Sequence, residues 1–426
     1  MEMTLKLTDD SEKRLWRGYE YFYFFVFSCV LINAYYESTT WRKELWVIPF
    51  VSLADTLSGF LLPVLLGLGA LFIVLSLFKK CPASFAYTPQ QAITTLVCVA
   101  TLLMPRFVCG HYAPFLYAAL LVGAHNIDCK KLIRYYFWIS VVICSLTFLC
   151  GITGHIENLI YYRGDDTIRI SFGFCYPTDF CSHIFFLVVC WLWLKEEKTT
   201  FLEIGGIAAL AVFTYLACNA RTTALTLMLL AVWMLVVKLR ARKNNGTYQM
   251  TKPLQACCLL APFVGAGFMT VASALYSENN PFLALVNTAT SNRLSLGREA
   301  FRRYDLTLFG QSVEMHGNGG STVPPRDYFF LDSSYVNILF CFGIVLLLST
   351  LLMLLYLTLN ERQKGSFVRV GLLGIVALQC TIEHHLMDIS HAPLLLLLLT
   401  CDGEGQNGLD VLRFFKKDKK GASALD

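Results

Sequence analysis

Charge is what this chain of 426 residues has least of. Only 15% of it is Asp, Glu, Lys or Arg, against roughly 25% in an ordinary soluble domain. Hydrophobic residues make up 56% and mean hydropathy is +0.54, so polar surface is too scarce to cover a water-facing globule. That excludes a soluble enzyme, a disordered scaffold and a secreted disulfide module. No CxxC pair occurs and no His/Cys cluster has zinc spacing, so neither a metal nor a cofactor is expected. The sixteen cysteines sit mostly inside apolar runs, as Cys98, Cys144, Cys190 and Cys341 do, and read as small buried hydrophobes. Whether Cys175 and Cys181 pair is left open. No GKS/T follows the Gly-rich stretch 316–322, so it is not a P-loop. There is no convincing internal repeat, and nothing points to a nucleic-acid partner.

What the chain does have is a series of apolar runs of about 20 residues, each long enough to cross a hydrocarbon core of about 30 Å. The first, 19–36, follows a polar start with no cleavable signal and reads as a span that stays. Further spans are expected near 57–78, 90–105, 113–126, 132–150, 179–194, 201–218, 222–237, 253–275, 334–358, 366–381 and 383–401. The predicted fold is therefore all-α: one polytopic membrane domain over 1–426, with about twelve transmembrane helices and a large helical extracytoplasmic loop. Lys and Arg set the orientation. With a cytoplasmic N-terminus, Lys79-Lys80, Lys130-Lys131-Arg134, Lys238-Arg240-Arg242-Lys243, Arg362/Lys364/Arg369 and the tail Lys416 to Lys420 all fall inside. Both termini are then cytoplasmic.

The eleven basic residues left outside are ten Arg and one Lys, the reverse of the inside set. Arg offers a planar fork of donors that fits a phosphate bidentately and never loses its charge. The bias points to an anionic phosphate ligand outside the membrane. Two outside segments are long, 151–178 and 276–333, and loops of that length are usually functional or disordered. The second holds a helical stretch, 291–304, with Leu294, Gly297, Phe301 and Tyr304 on one side and Arg298 and Arg302 sharing a neighbouring face. It then breaks into the Gly-rich stretch from His316 to Thr322, read as a mobile segment that lets backbone approach a ligand. Arg221 sits between two spans separated by almost nothing, where an unpaired charge is costly. Asp332 is either a helix N-cap or a carboxylate at the mouth of a membrane cavity. Glu383, His384, His385, Asp388 and His391 lie between two apolar segments, as functional groups or as a re-entrant turn.

Several of these pieces together resemble the Wzy-type bacterial polysaccharide polymerases (O-antigen, capsule and exopolysaccharide), a family related to the O-antigen ligases. Arg169…Gly173…Pro177 is similar to their R-x-x-x-G-F-x-H-P-N stretch, with Tyr176 where the family often has His and Thr178 where it often has Asn. Asn219-Ala220-Arg221-Thr222 resembles their S-R-T stretch. Asn292 to Gly297, then Tyr304 and Leu308-Phe309-Gly310-Gln311, resembles the start of their large external loop. Asp332-Ser333-Ser334-Tyr335 and Phe342-Gly343-Ile344 resemble the D-x-x-Y…G-I run that closes it.

The resemblance implies an enzyme of the bacterial cytoplasmic membrane. It would join lipid-diphosphate-linked oligosaccharide units, donor and acceptor both, outside the bilayer, with a flippase and a chain-length regulator of the same pathway as partners. The leaving lipid diphosphate departs as an anion, so protein cations can take up its charge without a metal. Arg169, Arg221 and Arg293 are assigned to the diphosphate, with Arg298 and Arg302 as secondary candidates and Arg163 in the same binding set. The acceptor hydroxyl needs a general base, for which His316 and Asp332 are the candidates; His316 is slightly preferred because it sits on the Gly-rich loop and histidine ordinarily titrates near neutrality. The rivals are an O-antigen-ligase-like transferase, a flippase or transporter, and a carrier-dependent sugar transferase. Transporters usually bind at the bilayer midplane, where these spans carry few charges. The sugar transferase would need an acidic pair in the first external loop, 37–55, whereas the pair Asp165-Asp166 follows the fifth span.

Overall fold

Most of the predicted apolar runs fold as helices. The computed structural model describes residues 9–163, 167–323, 325–402 and 406–407. Lys6, Asp165, Asp166, Arg413 and the basic tail Lys416 to Lys420 lie outside the described residues, as does the side chain of Arg163. The helices, in order, are α1 (Asp9–Ser38), α2 (Ile48–Leu77), α3 (Pro89–Cys109), α4 (Ala113–Gly123), α5 (Cys129–Ile152), α6 (Pro177–Lys195), α7 (Phe201–Cys218), α8 (Arg221–Lys243), α9 (Lys252–Ala274), α10 (Pro281–Ala289), α11 (Arg293–Arg303), α12 (Ser334–Asn337), α13 (Gly343–Gln363) and α14 (Phe367–Ile382). A π-helical turn, Ile338–Phe342, links α12 to α13 in a broken rod, with Gly343 (φ 92°) at the break. Strands β1 (Ile160–Arg163) and β2 (Thr167–Ile170) form an antiparallel hairpin with Arg169 opposite Tyr161.

Eight helices among the described residues are long and apolar enough to cross a membrane: α2, α3, α5, α6, α7, α8, α9 and the α12–α13 rod. α4 and α14 are apolar but shorter. Local chemistry sets several ends. Thr88 with Gln91 and Thr200 with Glu203 form capping boxes that start α3 and α7. Asp128 caps α5 through the Lys131 amide. Asn219 takes the left-handed conformation (φ 47°) that closes α7, and α8 starts two residues later. That tight hairpin puts Arg221 at a helix end, as the sequence suggested.

Burial separates centre from periphery. In α6 and the α12–α13 rod 67% of the most apolar window is buried, against 22% in α2 and 28% in α3 and α7. The outer helices leave Phe60, Phe107, Leu202, Leu216 and Val264 exposed. Such faces are far more apolar than a monomer in water sustains.

The last predicted span, 383–401, is not an α-helix. Glu383 is extended, and only 3-10 turns follow, His385–Met387 and Pro393–Leu399. The cause is local. Asp388 Oδ1 accepts hydrogen bonds from the Ser390 amide (3.0 Å) and hydroxyl (2.7 Å), competing with helix formation, and Pro393 has no N–H to give. Buried irregular backbone must find partners within the protein. Here Tyr117 donates to the Ala392 carbonyl at 2.7 Å, and the Tyr136 hydroxyl lies 2.7 Å from the carbonyls of both Ser390 and His391. At the opposite end of α14, buried Arg369 pairs with Glu361 (3.0 Å) and Glu196 (2.8 Å).

The segment 276–333 carries α10 and α11, the latter inside the stretch predicted to be helical. α11 lies flush on α9 because residue 297 is Gly; a Cβ there would overlap the Ser273 side chain. Leu294 and Ala300 bury on the same side. Beyond α11 the chain is irregular, with His316 and Phe329 exchanging backbone hydrogen bonds of 2.8 and 3.0 Å.

Candidate functional site

Where α1, α6, α12 and α14 bring their ends together, a cavity of about 210 Å3 opens. Its lining includes Arg42, Tyr176, Asp179, Tyr328, Asp332 and His384. Gly317, Asn318, Gly319 and Gly320 form one wall. This Gly-rich stretch is held from below: Arg42 donates to the Gly319 carbonyl and Lys43 to that of Gly320 (3.3 Å). Arg42 is placed by the turn 40–43, which docks through Thr40 N–H to the Gly173 carbonyl at 2.9 Å.

Arg293 opens α11 and points into the cluster. Its Nη1 lies 3.1 Å from Asp332 Oδ2 and donates to the Ser291 carbonyl at 3.1 Å. The contact with Asp332 is an ion pair by distance rather than an aligned hydrogen bond, because Oδ2 has no hydrogen-bond donor. Arg293 Nε is buried with no partner. Burial opposes its charge, but the Asp332 and Glu383 carboxylates outweigh that and hold the guanidinium above its ordinary pKa. Burial, with the Asp332 carboxylate next, also pushes the Tyr328 phenol up, so it stays a protonated donor. Asp332 Oδ1 lies 3.9 Å from His384 Nδ1 on its other side. Asp332 is not the N-cap of α12; Ser333 occupies that position. Glu383, buried, carries the backbone carbonyl that receives the Ser334 hydroxyl at 2.5 Å, which pins α12 to the end of α14.

Arg169 reaches the cluster from β2. It is 3% exposed, donates from Nε to the Cys218 carbonyl (2.9 Å) and from Nη1 to the Tyr176 hydroxyl (3.1 Å), and leaves Nη2 without a partner. The Cys218 carbonyl is the C-terminal end of α7, so a cation there also meets the negative end of a helix dipole.

Of the expected site residues, the structure brings together the binding candidates Arg169 and Arg293 and the base candidate Asp332. It does not gather Arg221, Arg298, Arg302 or His316. Arg221 is exposed beyond the α7–α8 turn. Arg298 is exposed and donates to the Ala274 carbonyl at 2.5 Å, and Arg302 pairs with Glu299 at 3.1 Å in solvent. Their face of α11 turns away because Leu294, Gly297 and Ala300 claim the buried side. His316 is half-exposed and its Nδ1 faces Asp327 at 2.5 Å, so the loop that carries it contributes glycine backbone and not the imidazole. The histidine beside Asp332 is instead His384. Arg42, Asp179 and His384 were not assigned from sequence. His384 had a signal, the polar stretch between two apolar runs; Asp179 and Arg42 had only their types, since nothing local says which loops meet. No known protein family, curated protein or solved structure matches the chain.

Proposed function

We propose that the protein is a membrane glycosyltransferase that polymerises lipid-diphosphate-linked oligosaccharide units outside a bacterial cytoplasmic membrane. About twelve crossings follow if α1, α4, α14 and the irregular return through 383–401 join the eight long helices. One observation carries the reading: Arg169, buried, and Arg293, largely buried, come from distant segments and contact Tyr176 and Asp332 in the lining of one cavity, each with an unpaired guanidinium N–H. Buried donors left without acceptors are rare and costly, and phosphate oxygens would satisfy them. The stretches that carry the family resemblance also supply Tyr176, Thr178 and Asp332 to the same cavity. An apolar groove of about 700 Å3 along α8, α9 and α14, lined by Trp233, Leu254, Val264, Phe268 and Leu378, reaches Thr381 beside this cluster. It would take an isoprenoid chain.

In the reaction the acceptor hydroxyl gives its proton to a base, Asp332 with His384 beside it. The freed oxygen bonds the anomeric carbon, and the carbon–oxygen bond to the diphosphate breaks with its electron pair leaving on the diphosphate. Arg169, Arg293 and Arg42 take up that charge. Tyr328 and Phe330 line one side of the cavity.

Purified protein given lipid-linked repeat units should build a ladder of lengthening chains. Transfer to a different acceptor would make it a ligase, and translocation without transfer a flippase; either overturns the polymerase reading. Orientation has its own check. In a background without reactive cysteines, Ser321→Cys should react with an impermeant thiol reagent on intact cells and Asn244→Cys should not; both positions are exposed. The reverse labelling would put the cavity on the wrong side of the membrane for this chemistry.

A further inference from the structure

Behind the cavity, the irregular segment after α14 brings three side chains to one point. His385, Asp388 and His391 recur every third residue, and the backbone follows the same period: Asp388 N–H bonds to the His385 carbonyl (3.2 Å) and His391 N–H to the Asp388 carbonyl (3.0 Å). The two turns meet at Asp388, which is itself extended, and they bring the three side chains to one side. One ligand atom from each lies within 4.8 Å of the others. Asp388 Oδ2 stands 2.9 Å from His391 Nδ1 and 3.9 Å from His385 Nδ1. Bonds of about 2.0–2.1 Å to a tetrahedral ion need ligands a little over 3 Å apart, so these separations bracket what an ion would set.

A second observation is independent of that spacing. His385 is 2% exposed, yet neither of its ring nitrogens has a hydrogen-bond partner. His183 of α6, 1% exposed and stacked on His391 at 3.6 Å, is in the same condition. Buried polar atoms are ordinarily satisfied. The far nitrogens explain how the rings would be set. His385 Nε2 lies 3.7 Å from the Asp179 carboxylate, and His391 Nε2 lies 3.4 Å from the Asp179 carbonyl. Metal-ligating histidines characteristically aim the other N–H at a carboxylate or a carbonyl, which leaves the opposite lone pair free to bind. Both rings here aim Nε2 at the same residue and Nδ1 at Asp388. Charge agrees: the Asp388 and Asp332 carboxylates both act on Asp179, and Arg169 is the arginine that faces it.

We propose that His385, Asp388 and His391 bind one divalent transition-metal ion, with Asp179 orienting both histidines. Two imidazoles and a carboxylate suit Zn2+ and its first-row neighbours rather than Mg2+ or Ca2+. Asp388, 34% exposed, leaves room for a water as fourth ligand. The ion ties the non-helical return segment to α6, where a hydrogen-bonded helix would otherwise have held it. The proposal stands whether or not the cavity transfers sugars.

The test uses full-length protein in detergent, purified without a polyhistidine tag, stripped with a chelator and dialysed. Zn2+ should then bind at one equivalent per chain and raise the unfolding temperature, and Co2+ should give the visible bands of a tetrahedral N/O site. His385→Ala should lose both the bound ion and the thermal shift. His155→Ala, an exposed histidine elsewhere, should keep them. Asp179→Asn should weaken Zn2+ about 10–100-fold while keeping one equivalent. If His385→Ala does not elute as a folded species, Asp388→Asn takes its place and should lose at least tenfold in affinity. Absence of stoichiometric uptake by the wild type overturns the site, as does unchanged affinity in the folded His385 or Asp388 variant.

Discussion

Replacing Arg293 with alanine should lower polymerisation about a hundredfold or more at unchanged protein level. Charge-assisted hydrogen bonds contribute roughly 1.5–3 kcal/mol each, and about 1.4 kcal/mol is tenfold in rate. A guanidinium whose bonds strengthen as the diphosphate leaves loses that advantage in kcat. Arg293→Lys should recover only part, because an ammonium is a point donor without the planar fork. The geometry adds a second cost. Arg293 is the partner of Asp332, and stripping one member of a buried pair leaves the other charge uncompensated, worth roughly 3–5 kcal/mol of stability. Thermal unfolding must therefore be measured beside activity. The double variant Arg293→Ala/Asp332→Asn should regain stability without regaining rate. Arg303→Ala is the comparison: Arg303 bonds Glu299 at 2.8 Å and stacks on Phe329, away from the cavity. It should keep nearly full activity. Full extension by Arg293→Ala would remove this residue from the site.

Asp332→Asn should cost about 10²–10⁴ in rate, the usual contribution of a positioned general base, with little change in substrate affinity. The substitution keeps the side chain's shape and removes its ability to take the proton. His316→Ala should stay within about fivefold, since a half-exposed pair such as His316–Asp327 contributes at most about 1 kcal/mol. Extension of lipid-linked units by purified variants measures both. If Asp332→Asn extends normally while His384→Gln fails, the base is His384; if His316→Ala alone fails, the loop imidazole reaches the substrate and the cavity assignment falls.

These two expectations differ in how far the sequence could carry them. The Arg-rich outer set was legible by composition, and Arg293 was singled out within it. Arg298 and Arg302 were singled out with it because they share a face of α11. That face exists, but it points at Ala274, Glu299 and solvent. Periodicity tells which residues share a face, and not what that face meets. Asp332 was legible as a residue at a span mouth, with its two readings open; only the position of Ser333 as cap and the approach of Arg293 decided between them. His316 was preferred for its loop, and the loop does line the cavity, but through Gly317 to Gly320, while the imidazole faces Asp327.

The sequence by itself determined the class: a mostly helical protein with apolar helices of membrane-crossing length, a tight α7–α8 turn at Arg221, and a helix over 293–303 in the long loop. Those features follow from local apolar content, helix period and capping, which act over a few residues. Tertiary structure completed what Asp388 and Pro393 began in keeping the last apolar run out of an α-helix, and it alone decided that Arg42, Asp179 and His384 meet Asp332 at one cavity, with Arg293 paired to Asp332. It also decided that His385, Asp388 and His391 face one another. The reason is physical. A run such as 393–399 satisfies its apolar side chains equally well as helix or as buried irregular chain. The choice falls to distant donors, here the hydroxyls of Tyr117 and Tyr136, which reach the carbonyls that a helix would have claimed.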